Sequence, residues 1–555
     1  MKFLISVIFW LLYSGGLAAQ TALSSDNSAP LDKEKCSVSG SVLRQDTGEP
    51  LKKAKVTLIN HEKWEDSVFE ITDEQGQFLL DNLPPGSYSL SVSRPGFVET
   101  SYGQGKTKDP GAVLTLTRGQ NMTGLIFKLQ RTAVVTGRVL AEDGELVTGA
   151  RIAAIRVSGR GKMQEFQDVA EGTHTNDLGE FRIFDLEPGR YYFAAVYNPW
   201  SSREGFDPPP KHHSRIGFPP VYYPNTLDAS KAQTVTVAPG QETSALDFRM
   251  QPAPLVTVSG KVLNLAPVAE KGQASVTIIP RSSELAGSFS RDNFQTPSKD
   301  GAFVIHGVYR GSYYLQAIRE DRETRTFDLA RTELEISDTD VEGAILIFNP
   351  HLTIRGQIAW DNGKPSDLDN FNVELAPATE QAQFPRMQAP KADGSFVLKN
   401  VTEGEYYLIL ISSNKNCFAK SARIGTSSMA DGKLSIRAGD DALLEVLVSC
   451  RAPRLEGQVL TGESLPAVGV YVVLIPEPPR ANTRKYAAGR TDQNGRFSLQ
   501  GVAPGDYKLF SWDSVEENDW YDDEWLRPFE AKGVSVHLEE GERKNIDLTI
   551  IETSP

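Results

Sequence analysis

One pair of spacings recurs five times along the chain and constrains its fold more than any other feature. In each copy a glycine is followed two residues later by phenylalanine and ten residues later by a second glycine, and a tyrosine lies two residues beyond that. Because the segments between copies vary freely, the pattern indicates one small fold repeated five times. The first glycines are Gly76, Gly179, Gly301, Gly394 and Gly495, and the tyrosines are Tyr88, Tyr191, Tyr313, Tyr406 and Tyr507.

Each copy lies among short β-strands separated by tight turns. An opening strand with a central glycine, such as Val38-Ser39-Gly40-Ser41-Val42, begins every copy, and a glycine inside a strand marks a bulge or the close approach of a neighbouring backbone. Asp or Asn before the first glycine is typical of turns that need a positive φ. About seven strands per roughly 100 residues predict an all-β protein, a tandem array of five antiparallel β-sandwich domains.

The repeat pattern also predicts where the domains begin and end. Only a few residues separate consecutive repeats, which favours a semi-rigid string of domains. The predicted boundaries are 1–19 for a signal peptide, 20–34 for a linker, 35–131, 132–252 with an insertion at about 197–223, 253–350, 351–451 and 452–555 for the five repeats.

Three short motifs together carry a family resemblance. The Gly-x-Val opening strand, the Thr-Asp-x-x-Gly-x-Phe hairpin and the Leu-x-Pro-Gly-x-Tyr turn resemble the carboxypeptidase regulatory-like domain, a transthyretin-like or prealbumin-like sandwich. The resemblance is clearest in repeats one, two and five, and looser in three and four. It implies a carbohydrate-binding-like topology of the kind found in multi-repeat secreted bacterial proteins, but no residue here identifies a sugar site.

The N-terminus predicts export. Lys2 precedes an apolar stretch from Phe3 to Tyr13, and the small residues Ala18 and Ala19 follow, as in a secretory signal peptide. No apolar run beyond the first twenty residues is long enough to span a bilayer. We therefore expect a secreted or periplasmic protein without a transmembrane span in the mature chain.

The net charge argues against one class of partner, and the cysteines predict one disulfide. The net charge of −14 argues against nucleic acid, whose phosphate backbone demands a basic surface. Of the three cysteines, Cys417 and Cys450 end two apolar strand-like runs of the same repeat, which favours a disulfide between them in an oxidising compartment. Cys36 is then left over, as a buried residue or a free thiol.

The sequence gives no reason to expect an enzyme, a cofactor or a metal. A zinc carboxypeptidase needs an H-x-x-E pair and a distant third histidine, whereas the one H-x-x-E here, from His537 to Glu540, lies in a predicted strand with no histidine after it. The hairpin aspartates shift position relative to the glycine from copy to copy, which is typical of turns and not of a calcium shell.

The last repeat carries the strongest candidate for ligand binding. Exposed aromatic rings stack on sugars while carboxylates accept hydrogen bonds from their hydroxyl groups; the alternative is that the rings cover the end of the repeat. The candidate residues are Trp512, Trp520, Tyr521, Asp522, Asp523 and Trp525. The sequence thus favours a non-enzymatic exported scaffold that binds proteins at the cell surface, with carbohydrate binding as the alternative.

Overall fold

The computed structural model describes residues 35–105, 111–158, 165–169, 173–197, 216–264, 274–281, 285, 294–321, 326–362, 371–378, 386–412, 416–437, 443–477 and 483–553. The predicted signal peptide and linker, and positions 198–215 of the predicted insertion, lie outside these residues. Among the described residues, no helix is long and apolar enough to cross a membrane.

The first two repeats are each built from two packed sheets. The strands of repeat 1 are β1 (Cys36–Arg44), β2 (Lys55–Asn60), β3 (Val68–Ile71), β4 (Gln77–Leu83), β5 (Gly86–Ser93), β6 (Thr100–Ser101), β7 (Leu114–Leu116) and β8 (Asn121–Leu129). Those of repeat 2 are β9 (Ala133–Ala141), β10 (Arg151–Ser158), β11 (Glu165–Asp168), β12 (Glu180–Leu186), β13 (Gly189–Tyr197), β14 (Ile216–Tyr222), β15 (Val235–Val237), β16 (Glu242–Thr243) and β17 (Phe248–Met250).

Repeats 3 and 4 follow the same plan. The strands of repeat 3 are β18 (Ala253–Pro254), β19 (Val256–Leu263), β20 (Ala274–Pro280), β21 (Phe294–Gln295), β22 (Ala302–Val308), β23 (Gly311–Asp321), β24 (Thr326–Ile336) and β25 (Val341–Ile347). Those of repeat 4 are β26 (Leu352–Trp360), β27 (Phe371–Pro377), β28 (Arg386–Gln388), β29 (Ser395–Val401), β30 (Gly404–Ser412), β31 (Phe418–Ile424), β32 (Ser427–Ser428), β33 (Lys433–Ile436) and β34 (Leu444–Ser449).

Repeat 5 adds short helical turns to the plan. Its strands are β35 (Arg454–Leu460), β36 (Tyr471–Pro476), β37 (Ala487–Arg490), β38 (Arg496–Leu499), β39 (Gly505–Ser511), β40 (Val534–Leu538), β41 (Arg543–Asn545) and β42 (Leu548–Thr549). One α-helical turn, α1, spans Asp523–Leu526, and the described 3-10 turns of the chain are Trp64–Asp66, Ala229–Lys231, Thr483–Lys485, Asp519–Tyr521 and Arg527–Lys532.

The sheet order repeats from copy to copy. One sheet has the opening strand in its middle, as in β4-β1-β8, and the other has the second and fifth strands at its centre, as in β3-β2-β5-β6. The opening strand pairs antiparallel with the Gly-x-Phe strand and parallel with the closing strand in every repeat. Among the described strands the sandwich is therefore antiparallel except where the opening strand meets the closing segment, which is one strand in repeats 1, 3 and 4 and two short strands in repeats 2 and 5.

Two motif glycines are explained by close backbone contacts. The opening-strand glycine lies opposite the motif phenylalanine in all five registers, as with Gly40 and Phe78. A β-carbon on Gly457 would lie 1.8 Å from the carbonyl oxygen of Ile546, so no side chain fits there. The first motif glycine has a positive φ in every copy, between 65° at Gly179 and 86° at Gly301, where glycine alone carries no steric penalty.

The motif tyrosine ties a turn to the core in repeats 1, 2, 4 and 5, and a buried threonine does the same in repeat 1. The Tyr88 hydroxyl donates to the carbonyl oxygen of Pro84 at 2.6 Å, and Tyr191, Tyr406 and Tyr507 make the same bond four residues back. Burial raises the pKa of Tyr507 to about 12. Thr72 is buried and donates to the carbonyl oxygen of Leu51 at 2.7 Å. These hydrogen bonds give the tyrosines and Thr72 a structural role.

Two of the three cysteines form a disulfide, and the third is a free thiol. Cys417 and Cys450 form a disulfide across 33 residues of repeat 4, the pairing that the sequence favours. Cys36 is a buried free thiol whose Sγ donates to the carbonyl oxygen of Thr117 at 3.0 Å. The thiol left over in the sequence analysis is thus part of the core of repeat 1.

Charged side chains join repeats 3, 4 and 5. The Arg386 guanidinium of repeat 4 is buried and lies 2.9 Å from Asp328 of repeat 3, which also contacts Arg319 and His351. Burial acts to raise the pKa of Asp328, but hydrogen bonds from His351 and Arg319 outweigh it and leave the pKa below its ordinary value. At the next interface Glu540 of repeat 5 accepts hydrogen bonds from Ser449 and Lys420 of repeat 4.

The last repeat also contacts the first. The side-chain amide of Gln493 donates to the carbonyl oxygen of Thr115 and accepts from its backbone N–H, both at 2.8 Å. A β-carbon on Gly469 would lie 1.8 Å from the carbonyl oxygen of Gly103, so two backbones touch there. This contact was not expected for an extended string, because short linkers fix the spacing of neighbours but not the direction in which each repeat turns.

Candidate functional site

The tryptophan-rich segment of repeat 5 forms a second core on the outside of its sheet. Strand β36 is buried at every position, because one face packs into the sandwich and the other lies beneath the segment after β39. Tyr471, Val473 and Ile475 supply the outward face. A continuous apolar run is what a strand covered on both faces requires.

Ring stacking places the predicted binding residues inside this second core. Trp512 stacks on Phe510 with ring centroids 5.2 Å apart, and Trp520 packs edge-on against Tyr471 at 5.0 Å. Only 1% of Trp512 and 2% of Trp520 is exposed. Neither ring offers a free face to a sugar, so the covering role that the sequence left open describes these two positions.

The remaining predicted residues are more accessible. Tyr521 and Trp525 are half-buried, and Asp523 is exposed. Asp522 caps α1, since its Oδ1 accepts from the backbone N–H of Glu524 at 2.9 Å. The structure therefore brings these six residues into one segment but leaves only Tyr521, Trp525 and Asp523 for contact with a ligand.

A cleft of about 1040 Å³ lies where repeats 1, 2 and 5 meet. Repeat 1 contributes the segment from Val98 to Gly105 and the end of β8, and repeat 2 contributes the end of β10 and the turn from Pro188 to Arg190. The third wall is formed by Glu516, Glu517 and Asn518, the start of the acidic stretch of repeat 5. Its volume is that of an ordinary small-molecule or peptide site.

The cleft is lined by groups of both charges. Lys128, Arg156 and Arg190 face it together with Glu99, Glu516 and Glu517. Arg156 is ion-paired with Glu187, and Glu517 accepts a hydrogen bond from the Tyr471 hydroxyl at 3.2 Å. This arrangement can hold a polar, extended ligand by hydrogen bonds and charge pairs along its length.

The cleft borders the contact between repeats 1 and 5, because Gly103 lines the cleft and also touches Gly469. Tyr102 is half-buried beside it, and burial, followed by the charge of Asp492, raises the pKa of its hydroxyl. The carbonyl oxygen of Tyr102 accepts from the backbone N–H of Ala112 at 2.6 Å. The cleft therefore depends on the closing contact, in which Gln493 and Gly469 of repeat 5 meet Thr115 and Gly103 of repeat 1 and keep the repeat 5 wall in place.

Sequence reasoning missed this cleft because its walls are far apart in the chain. Gly103 and Gly105 are compatible with a loop, but their spacing does not say which part of the chain that loop contacts. Nothing in the sequence links that loop to Glu516, more than four hundred positions later.

The histidine and aspartate candidates have structural partners. His537 lies in β40 with Nδ1 2.6 Å from Asp506, and both side chains are exposed. Asp73 Oδ1 accepts backbone N–H groups of Gln75 and Gln77 in its hairpin. Within the described ranges, no group of three or more His, Cys, Asp or Glu is placed to hold a metal ion.

Two of the repeats are similar to a known domain family. Residues 37–130 and 134–251 each match the family model of the carboxypeptidase regulatory-like domain. No curated protein sequence matches the chain.

Several solved structures of bacterial surface proteins are also similar. A streptococcal ancillary pilin is 14% identical over 57% of this chain and 100% of its own, with a TM-score of 0.19. The minor pilin GBS52 of Streptococcus agalactiae is 12% identical over 40% and 97%, with a TM-score of 0.22. The major pilin subunit BcpA of Bacillus cereus is 11% identical over 76% and 99%, with a TM-score of 0.14. At these scores the likeness carries no argument about function.

Proposed function

We propose that this chain, whose first two repeats are carboxypeptidase regulatory-like domains, is a non-enzymatic exported scaffold that binds a protein partner in the cleft between repeats 1, 2 and 5. The observation that carries the proposal is the way the cleft is built. Three repeats each supply one wall, and the contact of Gln493 with Thr115 holds the last wall in place. The repeats thus act as supports that present one shared surface.

The chemistry of the walls favours a polypeptide ligand. Ser101, Tyr102 and Gln104 are polar residues along one side of the cleft, and the charges of Lys128 and Arg190 lie with those of Glu516 and Glu517 around the same space. A peptide segment carrying both charges and many backbone amides can pair with such a lining. We propose that the partner is an extracytoplasmic protein and that export follows from the predicted signal peptide.

Site-specific photo-crosslinking tests the proposal. A photoreactive amino acid at Lys128, an exposed residue of the cleft, is expected to capture a defined protein in the producing cell. The same group at Phe184, exposed but outside the cleft lining, is the matched control. Equal capture at both positions, or none at Lys128, would contradict a binding cleft. Reproducible turnover of a peptide or glycan substrate would contradict a non-enzymatic role.

Carbohydrate binding by repeat 5 is the second candidate. It is favoured by the partial exposure of Tyr521 and Trp525 next to exposed Asp523. A glycan array with the full chain and with Trp525→Ala tests it, because a sugar that stacks on Trp525 loses its platform in the variant. Binding to glycans that Trp525→Ala leaves unchanged would place the sugar elsewhere, and no binding at all would remove this candidate.

A further inference from the structure

In each repeat, the sheet that contains the motif-tyrosine strand has two different edges. The third-strand edge is formed by the third strand and the turn before it. The outer-strand edge is the opposite edge of the same sheet; its strand follows the motif-tyrosine strand in the chain and pairs with it, as β33 pairs with β30 and β40 with β39. In repeat 4, Arg386 of β28 reaches Asp328 of β24 in repeat 3 at 2.9 Å. In repeat 5, Lys485 in the turn before β37 donates to Asp431, just before β33 of repeat 4.

A common rule connects these two interfaces. In both, the third-strand edge of one repeat packs on the outer-strand edge of the repeat before it. A cation–π contact adds to the second interface, where Arg484 lies 5.4 Å from the ring centre of Tyr407. The incoming edge supplies basic groups, and the receiving edge supplies acidic ones.

The third-strand edge of repeat 1 has the opposite character. Strand β3 is exposed along its whole length, and its outer side pairs with no strand among the described residues. Trp64 is 74% exposed and Phe69 61% exposed, and Val68 and Ile71 are exposed beside them. An uncovered apolar edge strand is a template for pairing with another chain.

The outer-strand edge of repeat 5 is the matching surface. Strand β40 pairs with β39 as β33 pairs with β30, and its other side pairs with no strand in the described part of the chain. Val534, Ser535 and His537 are exposed along it, and exposed Lys532 precedes it. It is the counterpart of the surfaces that receive repeats 4 and 5 inside the chain.

We propose that the chain self-associates head to tail, with β3 of one copy packing on β40 of a second copy. Continuity with the two internal interfaces argues for this occupant, because the same edge types meet in the same order. Exposed Glu65 and Glu70 of the repeat 1 edge can pair with exposed Lys532, which precedes β40 at the repeat 5 edge, so the signs of the charges are reversed relative to the two internal interfaces. Since the two edges differ, the contact is heterologous and can propagate along a row of molecules.

Sedimentation velocity of the purified full chain over a range of concentrations tests the proposal. The wild-type chain is expected to show concentration-dependent dimers and larger species. Phe69→Glu on one edge and Val534→Glu on the other are each expected to weaken the association constant by about tenfold or more, because each places a carboxylate in an apolar contact or against acidic side chains. Phe184→Glu, at an equally exposed phenylalanine outside both edges, is the matched control and should not change it.

Mixing the two variants separates this geometry from others. A Phe69→Glu chain keeps an intact β40 and a Val534→Glu chain keeps an intact β3. An equimolar mixture is therefore expected to form dimers, and association should stop there because both remaining edges of the dimer are substituted. A wild-type chain that stays monomeric at every concentration would overturn the proposal. So would association that Phe69→Glu abolishes and Val534→Glu leaves intact, which would mean that two β3 edges pair with each other.

Discussion

The interface between repeats 3 and 4 and the contact between repeats 1 and 5 hold the chain together by different means. The first buries a charge cluster of Asp328, Arg386 and Arg319, in which each ion has a partner. The second joins backbone to backbone at Gly103 and Gly469 and adds the amide of Gln493. Repeats joined by a few residues of chain meet at high effective concentration, so they tolerate the desolvation of buried ions. The distant pair relies on shape and neutral hydrogen bonds.

The largest expected effect comes from the disulfide of repeat 4, which lies next to the charged interfaces. Replacing both Cys417 and Cys450 with Ser should lower the free energy of unfolding of this repeat by about 3 to 4 kcal/mol, since the bridge closes a loop of 33 residues. Calorimetry of the full chain measures it. Cys36→Ser, which can keep the hydrogen bond to Thr117, is the control and should cost clearly less.

The buried ion pair between repeats 3 and 4 comes next. Arg386→Met should destabilise the chain by about 3 kcal/mol in denaturant unfolding, because it leaves Asp328 buried with one cation fewer. Arg423→Met removes a solvent-exposed pair with Glu445 in the same repeat and should cost clearly less, because water screens exposed charges. Equal effects of the two substitutions would mean that burial of Arg386 does not matter.

Adding one methyl group, as in Gly469→Ala, tests the closing contact between repeats 1 and 5. Gly469→Ala should open the contact between repeats 1 and 5 and increase the radius of gyration in small-angle scattering, because the new β-carbon collides with Gly103. Gly149 occupies the same turn of repeat 2 with φ +78 and has nothing within 4 Å of its β-carbon position. Gly149→Ala therefore carries the same backbone strain, of about 1 kcal/mol, without the collision. An unchanged scattering profile for Gly469→Ala would show that the contact does not set the overall shape.

The smallest expected effect concerns the interface between repeats 4 and 5. Hydrogen bonds from Ser449 and Lys420 lower the pKa of Glu540 to about 2, below its ordinary value of 4.5. A lowered folded-state pKa gives stability that is present above pH 4.5 and is lost as the pH falls towards 2. The difference in Tm between the wild-type chain and Glu540→Gln should be about 2 °C or less at neutral pH and vanish at the acid end. A difference that is constant with pH would exclude the carboxylate as its source.

The sequence predicts the repeated sandwich well because its signals are local. A positive φ at the first motif glycine and a phenylalanine facing the core follow from turn chemistry and strand alternation within about ten residues. The buried Thr72 and the parallel pairing of β1 with β8 were not predicted, since both depend on strands that are distant in sequence. For the rings of repeat 5 the sequence left two alternatives, because aromatic residues beside acids suit both an exposed platform and a covering segment; the structure buries Trp512 and Trp520.

Less of the candidate site than of the fold could be predicted from the sequence. The predicted residues lie together, but their accessibility depends on whether the segment folds back over β36, which no local pattern states. The cleft depends on the angles between consecutive repeats, and small rotations at each junction add up over the chain. Those angles come from side-chain packing at the interfaces, such as Arg386 on Asp328.

By itself, the sequence determined five copies of a β-sandwich, because glycine conformation, turn residues and alternating strands act over short distances. The tertiary structure decided which surfaces are covered. It buried Trp512 and Trp520, joined Gln493 to Thr115 and left Trp64 and Phe69 exposed at one edge. These outcomes depend on contacts between segments that are distant in the sequence, within one repeat or between repeats, where burial and charge pairing weigh more than any local preference of the chain.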